Sequence, residues 1–246
     1  MKNILILLVL ALPLEGMAQR KITSTRLEVT ARLDEKPCSQ AQRTVAPYRA
    51  AVDSVMAPFL GRSLMAMTAG RPESLLSNWA ADVLVEFSDF DGGQRADLGI
   101  VNVGGLRNNM PLGEVRRGDI ILISPFQNKL VVATLRGGDL LDLMRDIAAA
   151  RGDGVSREVR LEITRSGQLL NALVGGQPIQ PDRLYRVATL DYLAEGNDKM
   201  GSFRKAVEVK ESGLFTRDVM MQSVQRAGTI SARMEGRITV KDELNR

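Results

Sequence analysis

Three short stretches hold the residue types that could do chemistry in this chain. They are Asn102-Val103-Gly104-Gly105-Leu106-Arg107, then Pro125-Phe126-Gln127-Asn128, then Asp191-Tyr192-Leu193-Ala194-Glu195-Gly196-Asn197-Asp198. A glycine pair lets backbone come close to a bound molecule. The arginine after it supplies a fixed cation whose planar donors pair with phosphate in two-pronged fashion. Phe126 and Tyr192 offer flat apolar faces, and Asp198 offers a carboxylate that can accept hydrogen bonds from a vicinal diol. Each has a plainer reading. Gly-Gly marks a turn, a phenylalanine belongs to a core, and an aspartate after Gly-Asn closes an Asx-turn. The chain has only 3 tyrosines and 6 phenylalanines. From the glycine pair alone a turn is favoured; the ordered company of Phe126 and Asp198 favours a ligand site.

Other chemistries are poorly served. The 246-residue chain contains no histidine, which removes Ser-His-Asp and Cys-His arrangements and every His-ligated metal. The glycine pairs lack the Lys-Ser/Thr ending of a phosphate-binding P-loop. The single cysteine, Cys38, can form no internal disulfide and has no base to activate it, so it reads as a free thiol. Asp139 and Asp142 share a predicted helix and read as a solvated face. The net charge of +4 is spread along the chain, without the clusters of a nucleic-acid footprint.

The elements that must position these stretches follow from periodicity. Apolar residues at helical spacing predict a helix over 45–60, stopped by Gly61-Arg62, and a second opened by Pro72-Glu73 at its first turn. Leu75, Leu76, Trp79, Ala80, Val83 and Leu84 form the stripe of that second helix. A third helix is predicted from Leu140 to about Arg151, capped by Gly138-Asp139, and a fourth over 218–225. Strands are predicted over 27–31, 63–69, 98–103, 130–135, 159–163, 172–174, 185–190 and 237–240, with a turn at Gly175-Gly176. Helices and strands alternate first and a strand-rich region follows. This predicts an α+β domain, a mixed β-sheet with helices packed outside.

The first residues read as a secretory signal. Lys2-Asn3 is polar, 4–14 is apolar but for Pro13, and Gly16-Met17-Ala18 supplies the small residues of a cleavage site. The apolar run is short for a bilayer span. The expectation is a signal peptide over 1–18 and one domain over 19–246. The protein would be secreted or periplasmic, with no membrane attachment after cleavage.

In order and composition the three stretches resemble the C-terminal, substrate-binding domain of the 5'-nucleotidase and UDP-sugar hydrolase family. The resemblance covers about 63–240. It implies the same α+β class and gives each residue a role. Asn102 contacts the base and Arg107 the phosphate. Gly104 and Gly105 admit the ligand to the backbone. Phe126 and Tyr192 sandwich the base, with Tyr where Phe is commoner. Asp198 accepts from the ribose 2'- and 3'-hydroxyls, and Arg71 is a second arginine toward the phosphate. One departure stands out: Asn197 takes the place of the second glycine of Gly-Gly-Asp-Gly, and Lys199 follows the aspartate.

The catalytic half of that family is a two-metal domain built on His/Asp/Asn clusters. The resemblance therefore implies a nucleotide- or nucleoside-binding chain with no cofactor of its own, inactive alone. Its divalent metals would belong to a separate metallophosphatase partner. A binding module with no catalytic partner, and a structural domain that has lost its ligand, are the two other readings.

Overall fold

The computed structural model describes residues 23–35, 38–90 and 92–242. The predicted signal segment, Lys36-Pro37 and Asp91 lie outside the described residues. The chain divides into two compact units, one up to Ala46 and one from Pro47.

In chain order the regular elements begin with α1 (Ser39–Met56), β1 (Phe59–Ser63), α2 (Leu75–Glu86), β2 (Leu98–Val101) and β3 (Gly113–Arg116). There follow α3 (Arg117–Ile123), β4 (Lys129–Arg136), α4 (Gly137–Ala149), β5 (Gly154–Val155), β6 (Val159–Thr164), β7 (Leu169–Val174) and β8 (Gln177–Pro178). The last are β9 (Leu184–Leu190), α5 (Asp191–Ala194), β10 (Glu208–Phe215), α6 (Thr216–Ala227), β11 (Thr229–Ile230) and β12 (Ile238–Lys241). Three sheets result, in the orders β11-β1-β3, β10-β4-β9-β2-β5 and β12-β6-β7-β8. Each mixes or combines directions, with helices around them, as the α+β expectation requires.

The five-stranded sheet carries the core. β2 is buried at all four positions, which is why its sequence is an unbroken apolar run rather than an alternation. α2 lies on it, burying Leu76, Trp79, Ala80, Val83 and Leu84. The contact depends on Gly99: a Cβ there would stand 2.5 Å from the Ala81 carbonyl oxygen. α4 buries Leu140, Leu143, Met144 and Ile147, each side chain contributing about 1.5–3 kcal/mol on removal from water.

Several sequence expectations are corrected. Residues 27–30 form no strand and are exposed, and a 3-10 turn follows at Ala31–Glu35. An alternating pattern needs a partner strand, and none pairs there. The strand placed over 63–69 lies earlier, at Phe59–Ser63, and only Met67 bridges Met110 beyond it. Gly61, read as a helix stop, is a close approach instead: a Cβ would stand 2.7 Å from the Gly228 carbonyl oxygen. Pro72 does not open α2. It follows a cis peptide bond in the preceding loop, and Ser74 is the N-cap, its hydroxyl accepting from Ser77 N–H. α4 begins at Gly137 with Arg136 as its cap, so Gly138-Asp139 lies in its first turn. Asp139 and Asp142 are not a merely solvated face, since Lys205 Nζ pairs with both at 3.5 and 2.7 Å.

Candidate functional site at one sheet edge

Strand direction assembles the site. β2 and β9 are parallel neighbours, so the loops leaving their C-terminal ends emerge side by side. β4 runs antiparallel to β9 with Leu130 opposite Leu190, which brings the segment entering β4 to the same edge. β5 runs antiparallel to β2 with Gly154 opposite Val101, which brings the segment entering β5 there too. Asn102, Phe126, Asp153 and Tyr192 therefore sit on four connections at one edge. This is where open α/β sheets hold ligands.

Asn102 leaves β2 and begins a 3-10 turn over Val103–Gly105. Its side chain makes no cap bond to that turn. Instead its Nδ2 donates to Asp198 Oδ2, a partner 96 residues away. Gly104 faces the same carboxylate, which a Cβ on Gly104 would meet at 3.8 Å. Gly105 is tighter, since a Cβ there would stand 2.7 Å from Asn102 Oδ1. That oxygen is buried and has no hydrogen-bond partner, so the side chain has no second bond to fall back on when pushed. Gly105→Ala should therefore cost about 1 kcal/mol by displacing Asn102 from Asp198. Gly104→Ala, meeting only ordinary contact, should stay within about 0.5 kcal/mol. Urea denaturation of both variants checks this, and equal losses would contradict it.

The third stretch folds back on itself. Gly196, Asp198 and Lys199 take positive φ, at 80°, 52° and 65°. Glycine and aspartate tolerate that region; lysine does so at a cost of roughly 1–2 kcal/mol. Asn197, the residue that departs from the family pattern, donates from Nδ2 to the Tyr192 carbonyl at 2.8 Å and closes the loop. The Tyr192 hydroxyl lies 3.4 Å from Asp198 Oδ1. The Asp198 charge beside it holds the phenol above its usual ionisation range. At that length the contact is beyond a good O–H···O bond, so this carboxylate oxygen remains open to a stronger donor.

Neither ring belongs to the core. Phe126 is 47% exposed and Tyr192 40% exposed, which sets aside the reading of Phe126 as an interior residue. Arg107 is exposed, and its Nη1 donates only to the Gly104 carbonyl, at 3.2 Å. Arg71 is engaged more firmly. Its Nε donates to the Gly152 carbonyl at 2.7 Å and its Nη2 pairs with Asp153 Oδ2 at 2.8 Å.

Asp153 is the residue that sequence reasoning missed. It is 2% exposed, and its other oxygen accepts from Val103 N–H at 2.5 Å. One carboxylate thus ties Arg71 to the start of the Asn102–Arg107 loop. Burial pushes its pKa up, against the Val103 and Arg71 donors that pull it down. The only signal was an acid between glycines, and Gly-Asp-Gly reads first as a turn.

Residues 50–206 match the family model described as 5'-nucleotidase, C-terminal domain. Among curated relatives, the silent protein UshA(0) of Salmonella typhimurium is 24% identical over 140 residues, covering 56% of this chain and 26% of its own. The 5'-nucleotidase of Vibrio vulnificus is 30% identical over 112 residues, covering 42% of this chain and 19% of its own. Among solved structures, the 5'-nucleotidase precursor of Thermus thermophilus superposes with a TM-score of 0.73 at 23% identity, over 84% of this chain and 43% of that one. The NAD nucleotidase of Haemophilus influenzae gives 0.65 at 19% identity, over 84% and 42%. At these identities the structural likeness speaks for the fold. The chain spans about a fifth to a quarter of the length of these curated relatives and less than half of the solved ones.

Proposed function

Because the chain belongs to the 5'-nucleotidase C-terminal domain family, we propose that it is a nucleoside- and nucleotide-binding domain serving nucleotide breakdown outside the cytoplasm. One observation carries the reading. Asn102 and Asp198, 96 residues apart, are bonded at a sheet edge where two half-exposed aromatic rings also emerge. In this reading Phe126 and Tyr192 stack on the two faces of a base, and Asn102 meets its edge. The loosely held Asp198 oxygen exchanges the Tyr192 hydroxyl for the ribose diol. Gly104 and Gly105 let the sugar approach the backbone, Arg107 stands toward the phosphate, and Arg71, paired with Asp153, is the second arginine on that side.

The two-metal centre of the family does not fit this chain. The sequence has no histidine, and among the described residues no group of three or more His, Cys, Asp or Glu could hold a metal ion. In this proposal hydrolysis belongs to a separate metallophosphatase. Export through the N-terminal segment belongs to the same proposal.

The test is calorimetry with adenosine and AMP on the 246-residue chain, joined to a phosphate-release assay with Mn, Co, Zn or Mg. Binding of both ligands without release of phosphate is expected. No binding at millimolar ligand would end the nucleoside reading. Metal-dependent phosphate release that survives stringent purification would end the assignment of hydrolysis to a partner.

A further inference from the structure

The two arginines near the site differ in one respect. Arg107 is exposed and, among the described residues, touches no carboxylate; its guanidinium donates to a single backbone carbonyl. Arg71 has a carboxylate of its own. Asp153 pairs with it at 2.8 Å and is almost closed to water, at 2% exposure. The Gly152 carbonyl fixes the guanidinium from a second direction, at 2.7 Å.

This pairing is built into the backbone. Gly152 has φ of +102°, and a Cβ on it would stand 2.4 Å from the Pro72 carbonyl oxygen. Only glycine lets the chain pass so close behind Arg71, and the next residue is Asp153. The second Asp153 oxygen is held by Val103 N–H, so the carboxylate cannot swing away from Arg71 without releasing the ligand loop. A phosphate approaching Arg71 would meet a fixed negative charge as well. A shielded charge keeps its influence at short range better than one in water.

We infer that Asp153 is a specificity-determining residue: by cancelling Arg71 it turns the site toward uncharged nucleosides and leaves Arg107 as the free cation that a phosphate would meet. The inference rests on the nucleoside-binding reading and names its preferred ligand class. Asp153 acts through Arg71 and touches no ligand itself.

The experiment is the ratio of AMP to adenosine affinity, measured by calorimetry on wild type, Asp153→Asn, the charge-neutral double variant Arg71→Gln with Asp153→Asn, and Arg107→Ala. Asparagine can still accept from Val103 N–H, but its amide turns donors toward Arg71 and frees the guanidinium. Asp153→Asn should raise the AMP to adenosine ratio roughly tenfold, the worth of a charge-assisted hydrogen bond. The double variant should return to the wild-type ratio, and Arg107→Ala should lower it. A role limited to holding the loop would weaken both ligands equally and leave the ratio unmoved, which would overturn the inference. So would a double variant that loses AMP as selectively as Arg107→Ala, since Arg71 would then be a phosphate contact in spite of Asp153. If Asp153→Asn fails to fold, Asp153→Ser, which keeps an acceptor for Val103 N–H and removes the charge, is read in its place: a raised ratio supports the inference and an unmoved ratio overturns it. Wild type binding no adenosine would instead remove the nucleoside reading, and this inference with it.

Discussion

Replacing Arg237 by methionine should destabilise the protein by about 3–5 kcal/mol, the usual result of removing one partner from a buried, hydrogen-bonded ion pair. The side chain is 3% exposed. Its two terminal nitrogens meet both oxygens of Asp82, at 2.8 and 2.9 Å. Nη1 also donates to the carbonyls of Asn78 and Val155, and Nε to Glu235. The guanidinium thus joins α2, β5 and the start of β12. β5 is the strand that follows Asp153, so the same bolt backs the edge of the proposed site. Methionine fills the space but leaves Asp82 with Arg157 alone and takes the guanidinium from Glu235. The loss should shrink when Asp82 is changed as well, to leucine, because the more buried of the two carboxylates facing Arg237 is then gone. Urea denaturation of the two variants provides the measurement, and a loss under 1 kcal/mol for Arg237→Met would show that the pair is not what holds these elements.

Phe126→Ala and Tyr192→Ala should each weaken adenosine binding by about 1–3 kcal/mol, the range for one aromatic ring stacked on a base. Both rings are close to half exposed, so truncation removes little buried surface and leaves no cavity. Affinity should therefore fall while the melting temperature holds. That contrast separates stacking from a folding defect. Tyr192→Phe keeps the ring and should keep most of the affinity, the lost hydroxyl contact being a long one at 3.4 Å. Calorimetry and thermal melts on the three variants suffice. If either alanine variant binds as wild type does, the base is not sandwiched between these rings.

The sequence by itself determined what is local. The apolar stripe of α2, the strand at β9, the Gly175-Gly176 turn and the order of the three motifs all arise from neighbours within a few turns. Chain sterics and side-chain period decide these without distant partners. The family resemblance was legible for the same reason, because its motifs are contiguous runs. The tertiary structure decided which runs meet. That β2 lies parallel to β9, with β4 and β5 antiparallel beside them, is set by burial of whole sheet faces and leaves no mark at any single position. Only that arrangement brings Asn102 to Asp198 and Phe126 to the edge from which Tyr192 emerges. It also decided the fate of residues whose types mislead. Arginine is usually exposed, yet Arg237 is buried because Asp82 and two carbonyls match its donors. Residues 27–30 alternate like a strand but form none among the described residues. Asp153 looks like a turn residue until the fold sets Arg71 on one of its oxygens and the Val103 amide on the other.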